Sequence, residues 1–328
     1  MSVDCTREIR IRILTTVPAR VSKRWKEDTT LVKPPQVFIN SRVFPFLYSL
    51  KLLIFSRKCD VVVTPSDRVG NRFALLQGLL RINPVPHLMI DCLWTKPEPS
   101  SLRFIKRGLS KIANRGVRKY VVWAKHEMKD YPRALGLPED KFTYIPFHTT
   151  TEGYDFRVEQ GDYIFAGGDG DRDYSTLIDA VKGIPVKVVI ATRTKINGYL
   201  KEKYPNVSVE ATSHEDFRKL MAGCLMVVVP MKGGLLHSGG QQTYLNAMSM
   251  GKPVIVCSPA AGDYIEHWKT GVVLPNGDIN GLRDAIVRLM NDSRLAIEMG
   301  RAAEDTAKLF STENTMSQVL ELAKSLIR

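Results

Sequence analysis

The chain has 328 residues, 44% of them hydrophobic, with 47 Lys and Arg against 34 Asp and Glu, a formal net charge of +13. That length exceeds one ordinary core and suits two domains of about 150 residues each; the apolar content lets both halves bury cores. No apolar run nears the roughly 20 residues that span a bilayer, Arg7, Arg10 and Arg12 break up the first apolar stretch against a signal peptide, and five cysteines without C-x-x-C spacing read as reduced thiols of a cytosolic protein.

In chain order, apolar runs predict a strand at Ile9–Thr15, then a basic segment at Pro18–Lys33, a helix over 44–56 and a strand at Val61–Thr64. A helix at Asn71–Leu80 follows. Pro84 and Pro86 precede a strand at His87–Ile90, and a basic amphipathic helix covers about 101–113. A strand at Lys119–Trp123, a helix at Lys125–Leu135 and a strand at Phe142–Ile145 complete the first half. Residues 147–162 are polar and turn-rich, as a linker is. The second half restarts with a strand at Tyr163–Ala166 and a helix at Tyr174–Val181. Strands at Val186–Ile190, Ser208–Glu210, Leu225–Pro230 and Val254–Cys257 alternate with helices over 196–203, Glu215–Ala222 and 241–250. Helices at Ile279–Asn291, about 293–308 and about 312–327 finish the chain. Apolar strands alternating with helices imply an α/β fold with parallel sheets covered on both faces.

The charge is unevenly spread. Residues 1–150 carry 27 Lys and Arg against 12 Asp and Glu, a net +15; residues 151–328 carry 20 against 22, a net −2. A basic half fits nucleic acid, an anionic membrane surface or a solvated face. No nucleic-acid-binding motif accompanies it. The stretch Arg42-Val-Phe-Pro-Phe-Leu-Tyr-Ser-Leu-Lys-Leu-Leu-Ile-Phe-Ser-Arg-Lys58 mixes large apolar residues with flanking cations, as a headgroup-level segment does. A core helix with solvated ends is the plainer alternative.

The candidate chemistry centres on Ser238-Gly-Gly-Gln-Gln-Thr243. A Gly-Gly turn opens a helix that stops at Gly251, and Pro253 begins a buried strand. A loop entering a helix offers free N–H groups and a positive dipole end, which suit phosphate. The backbone of Gly239, Gly240 and Gln241 would hold a diphosphate, and Gln241, Gln242 and Thr243 would read phosphate or sugar oxygens. Gly167-Gly-Asp-Gly-Asp-Arg-Asp-Tyr174 is a second glycine-rich turn after a strand, with Arg172 its best cation and Arg193 beyond the next strand. Arg172 answers equally to an ion pair with Asp171 or Asp173, and Arg193 to a solvated loop. Asp169-Gly-Asp171 has the D-x-D spacing of a metal-diphosphate site, a pattern common by chance; the histidines show no metal-ligand spacing. Asp91 follows the strand His87–Ile90 at the end where such sheets bind ligands. It serves either as a general base or as an acceptor-positioning or turn residue. His148, Thr149 and His237 are weaker candidates, His87 reads as structural, and Lys252 reads as a helix-end cation.

The segment from Ser238 to Val256, with Gly239, Leu245, Ala247, Met248, Gly251, Lys252, Pro253, Val254 and Ile255, resembles the donor loop and helix of the retaining family-4 glycosyltransferases of GT-B architecture, whose pattern reads roughly E-G-F-G-L-x-x-L-E-A-M-A-x-G-K-P-V-I. The stretches Tyr120–Pro146, Tyr163–Gly168 and Gly262–Leu282 are similar to other blocks of that family, so the likeness covers roughly residues 119–310. Where the family has two glutamates and an arginine, this chain has Ser238, Asn246 and Gly168. The resemblance implies two Rossmann-like doubly wound domains facing a central cleft: residues 1–150 binding acceptor, 151–310 binding nucleotide-sugar, and a helix over 311–328 packing back on the first. It implies a metal-independent hexosyltransferase without a cofactor, using a UDP- or GDP-linked sugar as co-substrate, for polysaccharide or glycolipid synthesis. The acceptor would be a glycan or lipid-linked, at the cytoplasmic face of a membrane. Asp91 and Arg172 would be catalytic. Gly167, Gly168, Arg193, Ser238, Gly239, Gly240, Gln241, Gln242, Thr243 and Asn246 would bind the donor, with Ser238 and Asn246 taking sugar hydroxyls and ribose in place of the glutamates. A catalytically inactive subunit and a sugar-nucleotide epimerase of the same fold are the alternatives.

Overall fold

The computed structural model describes residues 11–19, 21–34, 43–80, 84–92, 108–109, 111–196 and 202–327. The chain forms two compact units, one of Met1–Ile145 with Thr315–Arg328 and the other of Pro146–Asn314. Most of the helix expected over 101–113, the core of that over 196–203, and the start of the strand from Ile9 lie outside the described residues.

In the first unit the elements are β1 (Ile13–Thr15), α1 (Lys23–Asp28), β2 (Thr29–Leu31), α2 (Phe44–Ser56), β3 (Val61–Pro65), α3 (Arg68–Leu80), β4 (His87–Ile90), α4 (111–116), β5 (Lys119–Val122), α5 (Glu127–Leu135) and β6 (Phe142–Tyr144). The sheet is parallel, in the order β2-β1-β3-β4-β5-β6. Val61, Val62, Val63, Leu88, Met89 and Val121 are fully buried, as strands sandwiched between helices must be. The basic segment at 18–33, left without structure by its charge, is α1 and β2. Ser22 caps α1 by accepting the Trp25 N–H at 3.1 Å, and buried Trp25 donates its indole N–H to the Val17 carbonyl at 3.0 Å. One large apolar residue thus anchors an otherwise solvated stretch.

His87 opens β4 wholly buried, its Nε2 2.8 Å from Thr64 Oγ1. Burial pushes its pKa down to about 3. The folded state therefore holds His87 neutral while the unfolded chain protonates it below its ordinary value, so stability falls as pH drops from about 6.5 toward 3. Denaturant titrations across that range should lose on the order of 1 kcal/mol per pH unit. A His87→Gln variant, which keeps a partner for Thr64, should lose less; equal acid sensitivity in both proteins refutes this role.

The second unit runs β7 (Tyr163–Gly167), α6 (Tyr174–Ala180), β8 (Lys187–Ala191), β9 (Val207–Glu210), α7 (His214–Ala222), β10 (Met226–Pro230), α8 (Gln241–Ser249), β11 (Val254–Cys257), β12 (Val272–Val273), α9 (Ile279–Asn291) and α10 (Ser293–Ala307), and α11 (Thr312–Ser325) starts in it. Its parallel sheet has the order β12-β11-β10-β7-β8-β9. The chain moves one way from β7 to β9, then returns to lay β10 on the other side of β7. From Thr315 on, α11 belongs to the first unit, where Glu321 pairs with Arg24, and Lys324 with Asp28 at 2.8 Å.

Candidate functional site

The reversal of strand order between β7 and β10 opens a crevice at their carboxyl ends, where doubly wound sheets take ligands. The loop after β7 holds Gly167, Gly168 and Arg172; the loop after β10 leads through Ser238, Gly239 and Gly240 into α8. The two loops are knitted together. The Lys232 N–H donates to the Asp171 carbonyl at 2.9 Å and the Asp173 N–H to the Pro230 carbonyl at 2.8 Å, and residues 172 and 231 form an antiparallel bridge.

Arg172 sits where the loops meet. Its Nε donates to the Gly167 carbonyl at 3.1 Å, Nη1 to the Gly170 carbonyl at 2.8 Å, and Nη2 to Thr243 Oγ1 at 3.1 Å. None of these partners carries charge, and among the described residues no carboxylate lies within ion-pair distance of the guanidinium. Asp173 is occupied as the cap of α6, taking the Thr176 N–H and hydroxyl. Burial lowers the Arg172 pKa from its usual value, yet a guanidinium keeps its charge. The guanidinium fills the space beside Gly168: a Cβ there, at φ 113°, would stand 2.9 Å from Nη2. Where the family resemblance places an arginine this chain has Gly168, and the Arg172 guanidinium lies against it.

At the head of α8, Gly240 has φ 92° and caps the helix without a side chain. Among the described residues, the N–H groups of Gly240, Gln241 and Gln242 have no hydrogen-bond acceptor, and Gln241 is buried beside them. Free donors at a helix start beside a buried cation that no carboxylate ion-pairs have the chemistry of an anion cradle. Ser238 is buried in the same loop.

Other expected residues are placed differently. Arg193 is exposed and tied to Asp169, which also accepts the Thr192 hydroxyl at 3.0 Å and the Arg193 N–H at 2.7 Å. These bonds hold the Asp169 pKa below the ordinary carboxylate range; its carboxylate braces the loop after β8. Among the described residues no cluster of three His, Cys, Asp or Glu side chains is placed to hold a metal. Asn246 is buried, with Oδ1 accepting the Thr150 N–H at 2.7 Å and Nδ2 donating to Thr150 Oγ1 at 2.9 Å. Gln242 reaches the same hydroxyl at 3.1 Å, and Ser249 meets Thr151 at 3.0 Å. One face of α8 therefore grips the segment that the sequence reads as a loose linker, and His148 and Thr149 on that segment bond Thr312. Lys252 is buried on the Cys224 carbonyl at 2.8 Å and the Glu159 carbonyl, a backbone staple.

Asp91 belongs to the first unit, one strand beyond that sheet's own reversal point between β1 and β3. It adopts φ 71°, uncommon for a non-glycine residue and concentrated at functional sites, and accepts the Cys92 N–H at 2.6 Å. Met231 and Tyr174, which close the cradle from below, escaped sequence reading because a buried Met or Tyr beside a strand end carries no local signal. Met231 Sδ lies 3.0 Å from Arg172 Nη1, and the Tyr174 hydroxyl bonds the Gly168 carbonyl.

A family model described as Glycosyl transferases group 1 matches residues 168–292. A poly(ribitol-phosphate) alpha-N-acetylglucosaminyltransferase of Staphylococcus aureus (strain COL) is 33% identical over 92 residues, which are 27% of this chain and 19% of the relative. Among solved structures, sucrose-phosphate synthase from Thermosynechococcus elongatus superposes with a TM-score of 0.68 at 17% identity, covering 91% of this chain and 83% of that one. The Anabaena HepE protein, solved in complex with UDP, also gives 0.68 at 14% identity, covering 96% and 99%. By sheet order and by these likenesses, the chain has the α/β fold of GT-B glycosyltransferases, and its second unit carries the sequence pattern of glycosyl transferases group 1.

Proposed function

We propose that this protein transfers a sugar from a UDP- or GDP-linked donor to a glycan or lipid-linked acceptor at the cytoplasmic face of a membrane, without a metal. One observation carries the reading: the Arg172 guanidinium, in no direct ion pair, set against Gly168 and Thr243, beside the open N–H groups of α8. A leaving nucleoside diphosphate gains charge as the glycosidic bond breaks, and preorganised donors lower that barrier. Arg172 and the helix dipole would do this where a metal does it elsewhere. Gly167, Gly168, Ser238, Gly239, Gly240, Gln241, Gln242 and Thr243 would seat the donor. Asp91 would position or deprotonate the acceptor hydroxyl. Arg193 and Asn246 would act at one remove, by shaping the loop after β8 and by anchoring α8 to Thr150. HepE supports the reading through its complexes with UDP and UDP-glucose, and the staphylococcal relative through its name as a transferase of N-acetylglucosamine.

Calorimetric titration with UDP, GDP and dTDP in EDTA is the test. Saturable binding of at least one nucleoside diphosphate is expected, abolished by neither EDTA nor added magnesium. No heat with any nucleotide, or binding that appears only with metal, overturns the metal-free cradle.

A further inference from the structure

We propose that the outer face of α2, with the end of α3, docks on an anionic lipid bilayer. This deepens the membrane part of the proposed function and rests on it. The observation is a helix that is apolar on both sides. A surface helix ordinarily turns apolar residues inward and polar ones to water. On α2 the buried side holds Pro45, Tyr48 and Leu52, and also Ser49 and Ser56, whose hydroxyls take carbonyl partners: Ser49 bonds Pro45 and Val69, and Ser56 bonds Leu53. The exposed side carries Phe46, Ile54 and Phe55, with Ile54 65% exposed and Phe55 49%. Val43 precedes them, and Leu79 and Leu80 at the end of the neighbouring α3 are exposed as well. Large apolar groups clustered this way mark a surface that something else covers.

The rim decides what covers it. Arg57 and Lys58 are exposed and, among the described residues, have no ion-pair partner; Lys51 lies over the Phe55 ring on the same helix. No Asp or Glu occurs from Val43 to Cys59. A second copy docking face to face would set these cations against their own images, which opposes a two-fold contact. Anionic headgroups meet the cations, and the acyl boundary receives Phe46, Ile54 and Phe55. No helix among the described residues is long and apolar enough to cross a membrane, so the contact is interfacial.

Flotation of the full chain with phosphatidylcholine vesicles, with and without phosphatidylglycerol, at low and high salt, tests this. The chain should float with the anionic vesicles only, and less at high salt. Ile54→Ser with Phe55→Ser, and separately Arg57→Glu with Lys58→Glu, should each weaken binding at least about tenfold, with the unfolding midpoint unchanged because these side chains are exposed. Flotation that ignores phosphatidylglycerol or salt, or variants that float like the parent, overturns the proposal. So does a concentration-dependent dimer that the Ile54→Ser, Phe55→Ser variant dissolves in sedimentation. UDP affinity measured on the same preparations separates the two readings. A parent that floats but binds no nucleotide sinks the transferase reading alone; one that binds UDP but never floats sinks this proposal alone.

Discussion

Arg172→Ala is expected to slow sugar transfer about a hundredfold and weaken UDP binding roughly tenfold, with only about 1 kcal/mol lost from stability. The asymmetry follows from where the guanidinium sits. It gives hydrogen bonds to Gly167, Gly170 and Thr243, neutral acceptors whose loss is modest. Its charge feels Asp171 and Asp169 but is ion-paired by neither, so the guanidinium is available to a diphosphate whose negative charge grows in the transition state. Interactions stronger in the transition state than in the ground state appear in kcat more than in affinity. Arg172→Lys restores the charge but not the planar fork, and it should recover part of the rate while losing the bond to Thr243. Steady-state kinetics with UDP titration on the three proteins decide the matter. Unchanged UDP affinity and rate in Arg172→Ala would place the anion elsewhere.

Gly240→Val is expected to damage both folding and binding. At φ 92° a β-branched residue is strained by roughly 1–2 kcal/mol. An added Cβ would also stand 3.0 Å from Val229 Cγ1 and 3.2 Å from Met231 Sδ, both held in the core under the loop. Together these cost about 2–4 kcal/mol, or roughly 5–12 °C in the unfolding midpoint. Relief of the clash must come from the loop, which turns the free N–H groups of Gly240 and Gln241 away from the crevice, so UDP binding should fall at least about tenfold. Gly234 is the control: its φ is 74° but a Cβ there meets nothing within 4 Å. Gly234→Asn should leave both the midpoint and UDP affinity nearly unchanged. Equal effects of the two substitutions on UDP affinity would mean that the loop's backbone does not hold the nucleotide.

Much of this was legible in the sequence for a simple reason. Runs such as Val61-Val-Val-Thr64 and Val254-Ile-Val-Cys257 can only be buried strands, and glycines at 167–168 and 239–240 mark turns at their ends. Those signals are local, so they survive without knowledge of the fold. The strand β2 was not legible, because three residues of Thr-Thr-Leu are a strand only through pairing with β1. The role of Asn246 was equally hidden: its partner, Thr150, is 96 residues away.

The sequence alone therefore determined the alternation of strands and helices, the two-unit α/β organisation, the basic first half and the position of the glycine turn that opens α8. Each of these depends on residue type and short-range spacing, which the chain carries in itself. Tertiary structure decided which cation reaches the head of α8, that Asp169 and Arg193 answer each other, and that Asn246 holds Thr150. It also decided that α2 turns Ile54 and Phe55 outward while burying Ser49 and Ser56. Those are choices among partners distant along the chain. Only close packing, with one hydrogen-bond geometry satisfied and the others excluded, selects between them.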